Sequence, residues 1–330
     1  MSTRSPLCLL ACTDAVDLAT AVGSTLGCGV ARGRDEWFAS GEAKYVIGDN
    51  VRGCDCYVFQ RAIGPGAPRS VYDRTMVLLH AVDAARHADA ERITVIVPYL
   101  PGCRQDKRKG HVREGVSTGL LARMLCTAGV DMVVTVDPHN EALIGAYDPS
   151  RCVFEAVSVA APFAKFLQQN DLVGDVVAST DVGGLELARN YAQRLGRPIA
   201  ALSKERDYSR PNAVASTTVI GDVDGRSVLI VDDIVDTAGS MDSAIRSLWD
   251  KGATDIVIAG VHVLLSTPGR DRIEELRQEA DRRGFTLRVA ATSSVLQAEP
   301  PPWLVTFGIE PLLAEVIRSV NSRGSVRALE

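Results

Sequence analysis

The sequence predicts an α/β protein of two tandem domains, each a mostly parallel sheet flanked by helices. Three observations lead there. Apolar runs of strand length alternate with segments of helical period, the pattern of strand–helix–strand units with right-handed crossovers. The runs are continuous rather than alternating, as suits strands buried on both faces. The chain has 330 residues, and at roughly 150 residues per domain that length makes two domains.

In chain order the strand runs are Leu7–Ala11, Tyr57–Gln60, Ile93–Val97, Met132–Val136, Val176–Ala178, Ile199–Leu202, Val228–Val231, Ile256–Val263 and Leu287–Ala291. Helix-period segments lie between many of them: Asp14–Leu26, Val71–Arg86, Ser117–Cys126, Ala160–Gln168, Leu185–Leu195 and Arg270–Arg282. The turn signal Tyr147-Asp148-Pro149 puts the domain junction near Ser150–Ala160. The first domain is therefore expected over 1-155 and the second over 156-304. Pro300-Pro301-Pro302 breaks the pattern, and 305-330 holds a last helix over Glu310–Val320 that could pack on either domain, the N-terminal one being the expectation.

Composition narrows the function. Apolar residues make up 46% and charged residues 23%, enough for sizeable cores, and the net charge of −5 argues against a nucleic-acid partner. Eight cysteines are scattered, with Cys54-Asp55-Cys56 as the one close pair, and read as reduced thiols rather than a zinc site. No apolar run is long enough to span a membrane, and Leu7–Cys12 is too short for a signal peptide. The expectation is a cytoplasmic protein with no membrane partner.

The stretch Arg226–Met241 carries the strongest chemical signal. The run Val228–Val231 ends in Asp232 and Asp233, then passes through Asp236-Thr237-Ala238-Gly239-Ser240 into a helical pattern. Unpaired backbone N–H groups at a helix start, approached through small residues, favour a phosphate. Thr237 and Ser240 add hydroxyl donors, while the acids accept from sugar hydroxyls or sit near a divalent cation. Phosphate plus hydroxyls describes a phosphorylated sugar.

Other strand ends carry functional residue types. Arg104-Gln105-Asp106 follows Ile93–Val97, Asp137-Pro138-His139 follows Met132–Val136, Asp181-Val182-Gly183-Gly184 follows Val176–Ala178, and Lys204-Glu205-Arg206 follows Ile199–Leu202. Each alone has a plain reading as a helix cap or a solvated charge. Together they offer cations for a polyphosphate, and a His and an Asp for a metal. Those are the parts of phosphoryl-group transfer, where positioning and charge neutralisation dominate.

On these motifs, with Val51–Cys56 and Pro311–Glu315, the sequence resembles the ribose-phosphate pyrophosphokinase family over nearly its whole length. The resemblance implies two phosphoribosyltransferase-like domains. It also implies transfer of the β,γ-diphosphate of ATP to the C1 hydroxyl of ribose 5-phosphate, giving phosphoribosyl pyrophosphate (PRPP) and AMP. By that likeness Asp232, Asp233 and Asp236 hold the ribose hydroxyls, and Thr237, Ala238, Gly239 and Ser240 cradle the 5-phosphate. His139 and Asp181 position Mg²⁺, and Arg104, Gln105 and His139 contact ATP. Lys204 and Arg206 are the catalytic cations of a closing loop. Phe38, Ser40 and Glu42 match an adenine-binding loop that reaches in from a neighbouring subunit, which implies a homo-oligomer, a dimer or hexamer.

The sequence also departs from its relatives. Ser40 stands where the family usually has Asp, Pro138 replaces Leu, Ala142 and Ile144 replace Gln, and Glu205 stands where Arg is common. These changes leave open a divergent pyrophosphokinase acting on another sugar phosphate, and a catalytically weak regulatory subunit. A phosphoribosyltransferase is disfavoured by the length and by Lys204 and Arg206.

Overall fold

The computed structural model describes residues 5–64, 68–108, 110–206, 214–295, 297 and 299–327, with backbone alone at 204–206 and 214–217. The chain divides into two compact units. One comprises Met1–Ser158, Ser294–Ala298 and Gly308–Glu330, the other Val159–Ser293 and Glu299–Phe307.

The first unit runs β1 (Leu7–Ala11), α1 (Val16–Leu26), β2 (Gly33–Trp37), β3 (Ala43–Ile47), β4 (Asp55–Phe59), α2 (Val71–His87), β5 (Arg92–Ile96), α3 (Ser117–Ala128), β6 (Met132–Val136) and β7 (Val153–Val157). Its sheet has the order β1-β4-β5-β6-β7, with every neighbouring pair parallel. Strand β4 is buried at all five positions, which is why its sequence shows no alternation. Helix α2 begins with a capping box in which Ser70 and Asp73 exchange side-chain and backbone bonds.

Strands β2 and β3 form a separate antiparallel hairpin. The sequence pattern does not predict it, because Gly33-Arg34-Asp35-Glu36-Trp37 is too polar to register as an apolar run. The hairpin is tied to the end of β1 by side chains instead. Asp35 Oδ1 accepts from the Thr13 N–H at 2.8 Å and also from the Thr13 hydroxyl, and the Tyr45 hydroxyl donates to the Ala11 carbonyl at 2.7 Å.

The second unit runs α4 (Ala160–Gln169), β8 (Val176–Ser179), α5 (Leu185–Leu195), β9 (Ile199–Arg206), β10 (Val214–Ile220), β11 (Val228–Val235), α6 (Gly239–Asp250), β12 (Ile256–Val263), α7 (Gly269–Arg283), β13 (Leu287–Thr292) and β14 (Leu304–Phe307). Its sheet order is β10-β9-β8-β11-β12-β13-β14, parallel except where β10 returns along β9. The chain winds outward from β8 through β9, then restarts at β11 and winds the other way. That reversal between β8 and β11 is a topological switch point, where crossovers diverge and leave a crevice at the carboxyl ends of the strands. Beneath it, Val228 and Ile230 pack with Met241, Ala244, Ile245 and Leu248 of α6.

Helix α8 (Glu310–Asn321) belongs to the first unit and packs on α1. Arg318 Nη2 donates to the Thr25 carbonyl at 3.3 Å, and Asn321 Nδ2 donates to Asp55 Oδ2 at 3.0 Å. No helix among the described residues is long and apolar enough to cross a membrane.

Candidate active site

In the second unit, β11 carries its buried run Val228–Val231 straight into the switch-point crevice, where Asp232 and Asp233 are half-buried. The neighbouring strand β8 ends beside it, with Ser179 paired to Val231, so that Thr180 and Asp181 emerge next to the two acids. Thr180 Oγ1 donates to Asp232 Oδ2 at 3.0 Å. Burial, and then the negative charge of Asp233, push the Asp232 carboxyl up to about 8, while the Thr180 bond opposes that rise. Asp181 adds to the negative field at Asp232, and its own Oδ1 accepts from the Gly184 N–H at 3.1 Å.

The chain then turns sharply. Ala238 has φ +56°, the left-handed region that costs an L-residue about 1–2 kcal/mol, and it caps α6 with no side-chain bond of its own. Thr237, Gly239 and Ser240 are exposed at the start of the helix, whereas Ala238 is buried. The loop is braced from α7. Arg272 Nη1 donates to the Thr237 carbonyl at 2.9 Å, and Gly269 abuts the backbone so closely that a Cβ there would lie 2.1 Å from the Asp236 carbonyl oxygen. The motif Asp236 to Ser240 is thus a surface of helix-start N–H groups and hydroxyls beside a cluster of carboxylates, able to hold an anion and a polyol together.

The first unit gathers a second set of polar residues. After β5 the chain turns at Gly102 (φ +73°), and Thr118 Oγ1 of α3 ties the turn by donating to the Gly102 carbonyl at 2.9 Å. This presents Arg104 and Gln105 at the surface, although Gln105 Oε1 already accepts from the Ser117 hydroxyl. The loop after β6 meets this turn, because Asn140 Nδ2 donates to Asp106 Oδ2 at 2.5 Å. That bond holds the Asp106 carboxyl below its ordinary value, with Lys107 and His139 helping. His139 is exposed on the same loop. At the tip of the β2–β3 hairpin, the Phe38 ring is 53% exposed, open enough for a flat ligand to stack on it. Beside it the Ser40 hydroxyl donates to Glu42 Oε2 at 2.8 Å.

The structure therefore brings together Asp181, Asp232, Asp233 and the loop Asp236 to Ser240 in one unit, and Arg104, Gln105 and His139 in the other. Lys204 and Arg206 lie in the backbone of β9, paired with Thr217 and Val214 of β10. Their side chains, and residues 207–213 that follow, lie outside the described residues. Among the described residues no three His, Cys, Asp or Glu side chains are spaced to hold a metal by protein ligands alone. Mg²⁺ does not need such a cage, since it keeps several waters and takes one or two carboxylates plus substrate phosphates. The all-oxygen, negatively charged surroundings of Asp181 fit that requirement.

Three residues escape sequence reasoning. Thr180 is visible only as the neighbour of Asp181. Gly269 and Arg272 carry no local signal, because only the packing of α7 brings them to the loop.

A switch-point strand ending in paired acids, followed by a small-residue loop and a helix start, defines a phosphoribosyl-binding α/β protein. Comparison with known proteins agrees and goes further. Residues 7–129 match the N-terminal domain of ribose phosphate pyrophosphokinase, and residues 157–299 match the phosphoribosyl transferase domain. The chain is 35% identical over 328 residues to a ribose-phosphate pyrophosphokinase of Mycobacterium bovis, covering 99% of this chain and 96% of that protein. It is 32% identical to one from Bacillus subtilis, covering 96% and 93%. The crystal structure of phosphoribosylpyrophosphate synthetase from Mycobacterium smegmatis superposes with a TM-score of 0.84 at 32% identity, covering 97% of this chain and all of that one. The chain belongs to the ribose-phosphate pyrophosphokinase family of diphosphate transferases.

Proposed function

We propose that this protein transfers the β,γ-diphosphoryl group of ATP to the C1 hydroxyl of ribose 5-phosphate in a Mg²⁺-dependent reaction, giving PRPP and AMP. The C1 oxygen bonds to the β-phosphorus, the bridge to the α-phosphate breaks, AMP leaves with the bridging oxygen, and the hydroxyl proton passes to water. The observation that carries this reading is the switch-point loop, which puts carboxylates for ribose hydroxyls beside a helix start for the 5-phosphate.

In this reading Asp232, Asp233 and Asp236 accept from the ribose hydroxyls, and the loop from Thr237 to Ser240 takes the 5-phosphate. Arg104, Gln105 and His139 receive the nucleotide, with Phe38 stacking on adenine and the Ser40–Glu42 pair facing its edge. Asp181 and His139 would hold Mg²⁺, whose bound charge offsets that of the diphosphate. Lys204 and Arg206 neutralise the transferring group, which is dense in negative charge when both bridging bonds are stretched. The hairpin that carries Phe38 serves a neighbouring copy, so the working form is a homo-oligomer, a dimer or hexamer, in the cytoplasm. The relatives named above are ribose-phosphate pyrophosphokinases and a phosphoribosylpyrophosphate synthetase, names that favour ribose 5-phosphate as the acceptor.

The test is direct. Pure protein is incubated with ATP, Mg²⁺ and ribose 5-phosphate, and AMP is followed together with the phosphorus spectrum of the sugar product. AMP and a C1 diphosphate signal in equal amounts are expected. No AMP above a metal-free control sinks the reading.

A further inference from the structure

We infer that Arg272 is the positioning residue of the 5-phosphate loop, and that it strengthens the hold of the second unit on ribose 5-phosphate. This rests on the reading that the loop from Asp236 to Ser240 takes the 5-phosphate.

An Ala in the left-handed region persists only where the surroundings over-determine it. The first turn of α7 supplies those surroundings. Gly269 admits the helix backbone against the loop, since a Cβ there would meet the Asp236 carbonyl oxygen at 2.1 Å and Thr237 Cα at 3.2 Å. One turn later, Arg272 Nη1 donates to the Thr237 carbonyl at 2.9 Å. The same nitrogen lies 3.2 Å from where a Gly239 Cβ would stand. The guanidinium therefore spans the loop from Thr237 to Gly239, with Ala238 between them.

Two consequences follow from elementary geometry and charge. A trans peptide is planar, with its C=O and N–H pointing in opposite directions. Capture of the Thr237 carbonyl by Arg272 therefore turns the Ala238 N–H away from α7. That N–H joins the helix-start donors of α6 as an anion ligand. Second, the Arg272 guanidinium stands beside the start of α6, with Nη1 2.9 Å from the Thr237 carbonyl oxygen and 3.2 Å from the Cβ position of Gly239. There it adds to the helix dipole in favouring a phosphate. A neutral side chain at this position loses both effects, whereas Lys keeps the charge but not the planar fork.

The experiment uses the full-length protein and the variants Arg272→Met and Arg272→Lys. Binding of ribose 5-phosphate and of ATP is measured by calorimetry, unliganded melting by circular dichroism, and KM and kcat wherever the wild type turns over. The expected result for Arg272→Met is a loss of roughly tenfold or more in ribose 5-phosphate affinity, the scale of one hydrogen bond to a charged group. ATP affinity and unliganded melting hold, and the kinetic loss falls on KM for ribose 5-phosphate. Arg272→Lys recovers part of the affinity. Affinity within about twofold of wild type in Arg272→Met overturns the inference. So does a parallel loss of ATP affinity and melting temperature, which marks a general prop. Calorimetry reads the sugar phosphate without turnover, so absence of AMP from the wild type bears on the reaction and leaves the role of Arg272 to the binding data.

Discussion

Thr180 Oγ1 donates a 3.0 Å hydrogen bond to Asp232 Oδ2, across the boundary where the sheet of the second unit reverses its winding. The bond fixes the carboxyl that burial and Asp233 push up to about 8.

That shift carries a stability signature. In the unfolded chain an Asp titrates near ~3.9, so between roughly pH 4 and pH 8 the folded protein holds a proton that the unfolded chain has lost. Stability from this group is therefore present at low pH, declines as pH rises through that window, and levels off above about 8. Asp232→Asn abolishes this component. With EDTA present, the difference in melting temperature between Asp232→Asn and wild type is expected to grow from pH 5 to pH 8 in favour of the variant. A constant difference contradicts the assignment.

Ala238 tests the strained turn. Ala238→Gly is expected to hold or raise stability by up to about 1 kcal/mol, because glycine takes the left-handed region freely. Ala238→Val is expected to cost about 2 kcal/mol or more, since a branched side chain fits that region poorly, and to weaken ribose 5-phosphate. Urea unfolding and calorimetry read the two effects separately.

Lys204 tests the proposed closing cations. Lys204→Ala is expected to lower kcat by roughly a thousandfold, with ribose 5-phosphate affinity changed only a few-fold, as for a contact made mainly in the transition state. Steady-state kinetics with calorimetry decide it. A large affinity loss with turnover intact moves Lys204 into substrate binding.

Phe38 tests the nucleotide face. Phe38 is 53% exposed, with Lys44 Nζ 5.7 Å from its ring centroid, which leaves ring surface for the proposed base to stack on. Phe38→Ala is expected to raise the KM for ATP about tenfold, as stacking energies imply, and to leave ribose 5-phosphate binding unchanged.

The first unit offers a stability test in its core. Arg74 is buried on α2, with its Nε 2.9 Å from Asp14 Oδ2. Asp14→Ala leaves that guanidinium uncompensated and is expected to cost about 3–5 kcal/mol by urea unfolding. Replacing both residues, as Asp14→Ala with Arg74→Met, is expected to recover most of the loss.

Much of this was legible in the sequence where local chemistry and structure coincide. The run Val228–Val231 reads as a buried parallel strand and is one, and it continues to Val235 because the acids at its end stay within the sheet register. The hairpin of β2 and β3 was not legible, since Asp35 and Thr13 hold it by side-chain bonds that leave no apolar period. Strands β7, β10 and β14 were also missed: Glu155, the Ser-Thr-Thr of β10 and the four-residue length of β14 give weak patterns. For the site, strand ends pointed to the acids and the loop, because catalysis places unusual residues there. Arg272 was invisible, since a surface-type residue on a charged helix gains its meaning only from the loop it reaches.

Helix α8 has a consequence for how the protein is made. Arg318 bonds to a carbonyl 293 positions earlier, and the helix covers α1 of the first unit. During synthesis every residue of the second unit is joined to the chain before α8 is made, so the domain begun first is the last to be completed. Until then α1 keeps a side uncovered in the newborn chain. A stop anywhere between β14 and α8 therefore damages the half of the molecule that had been synthesised longest before.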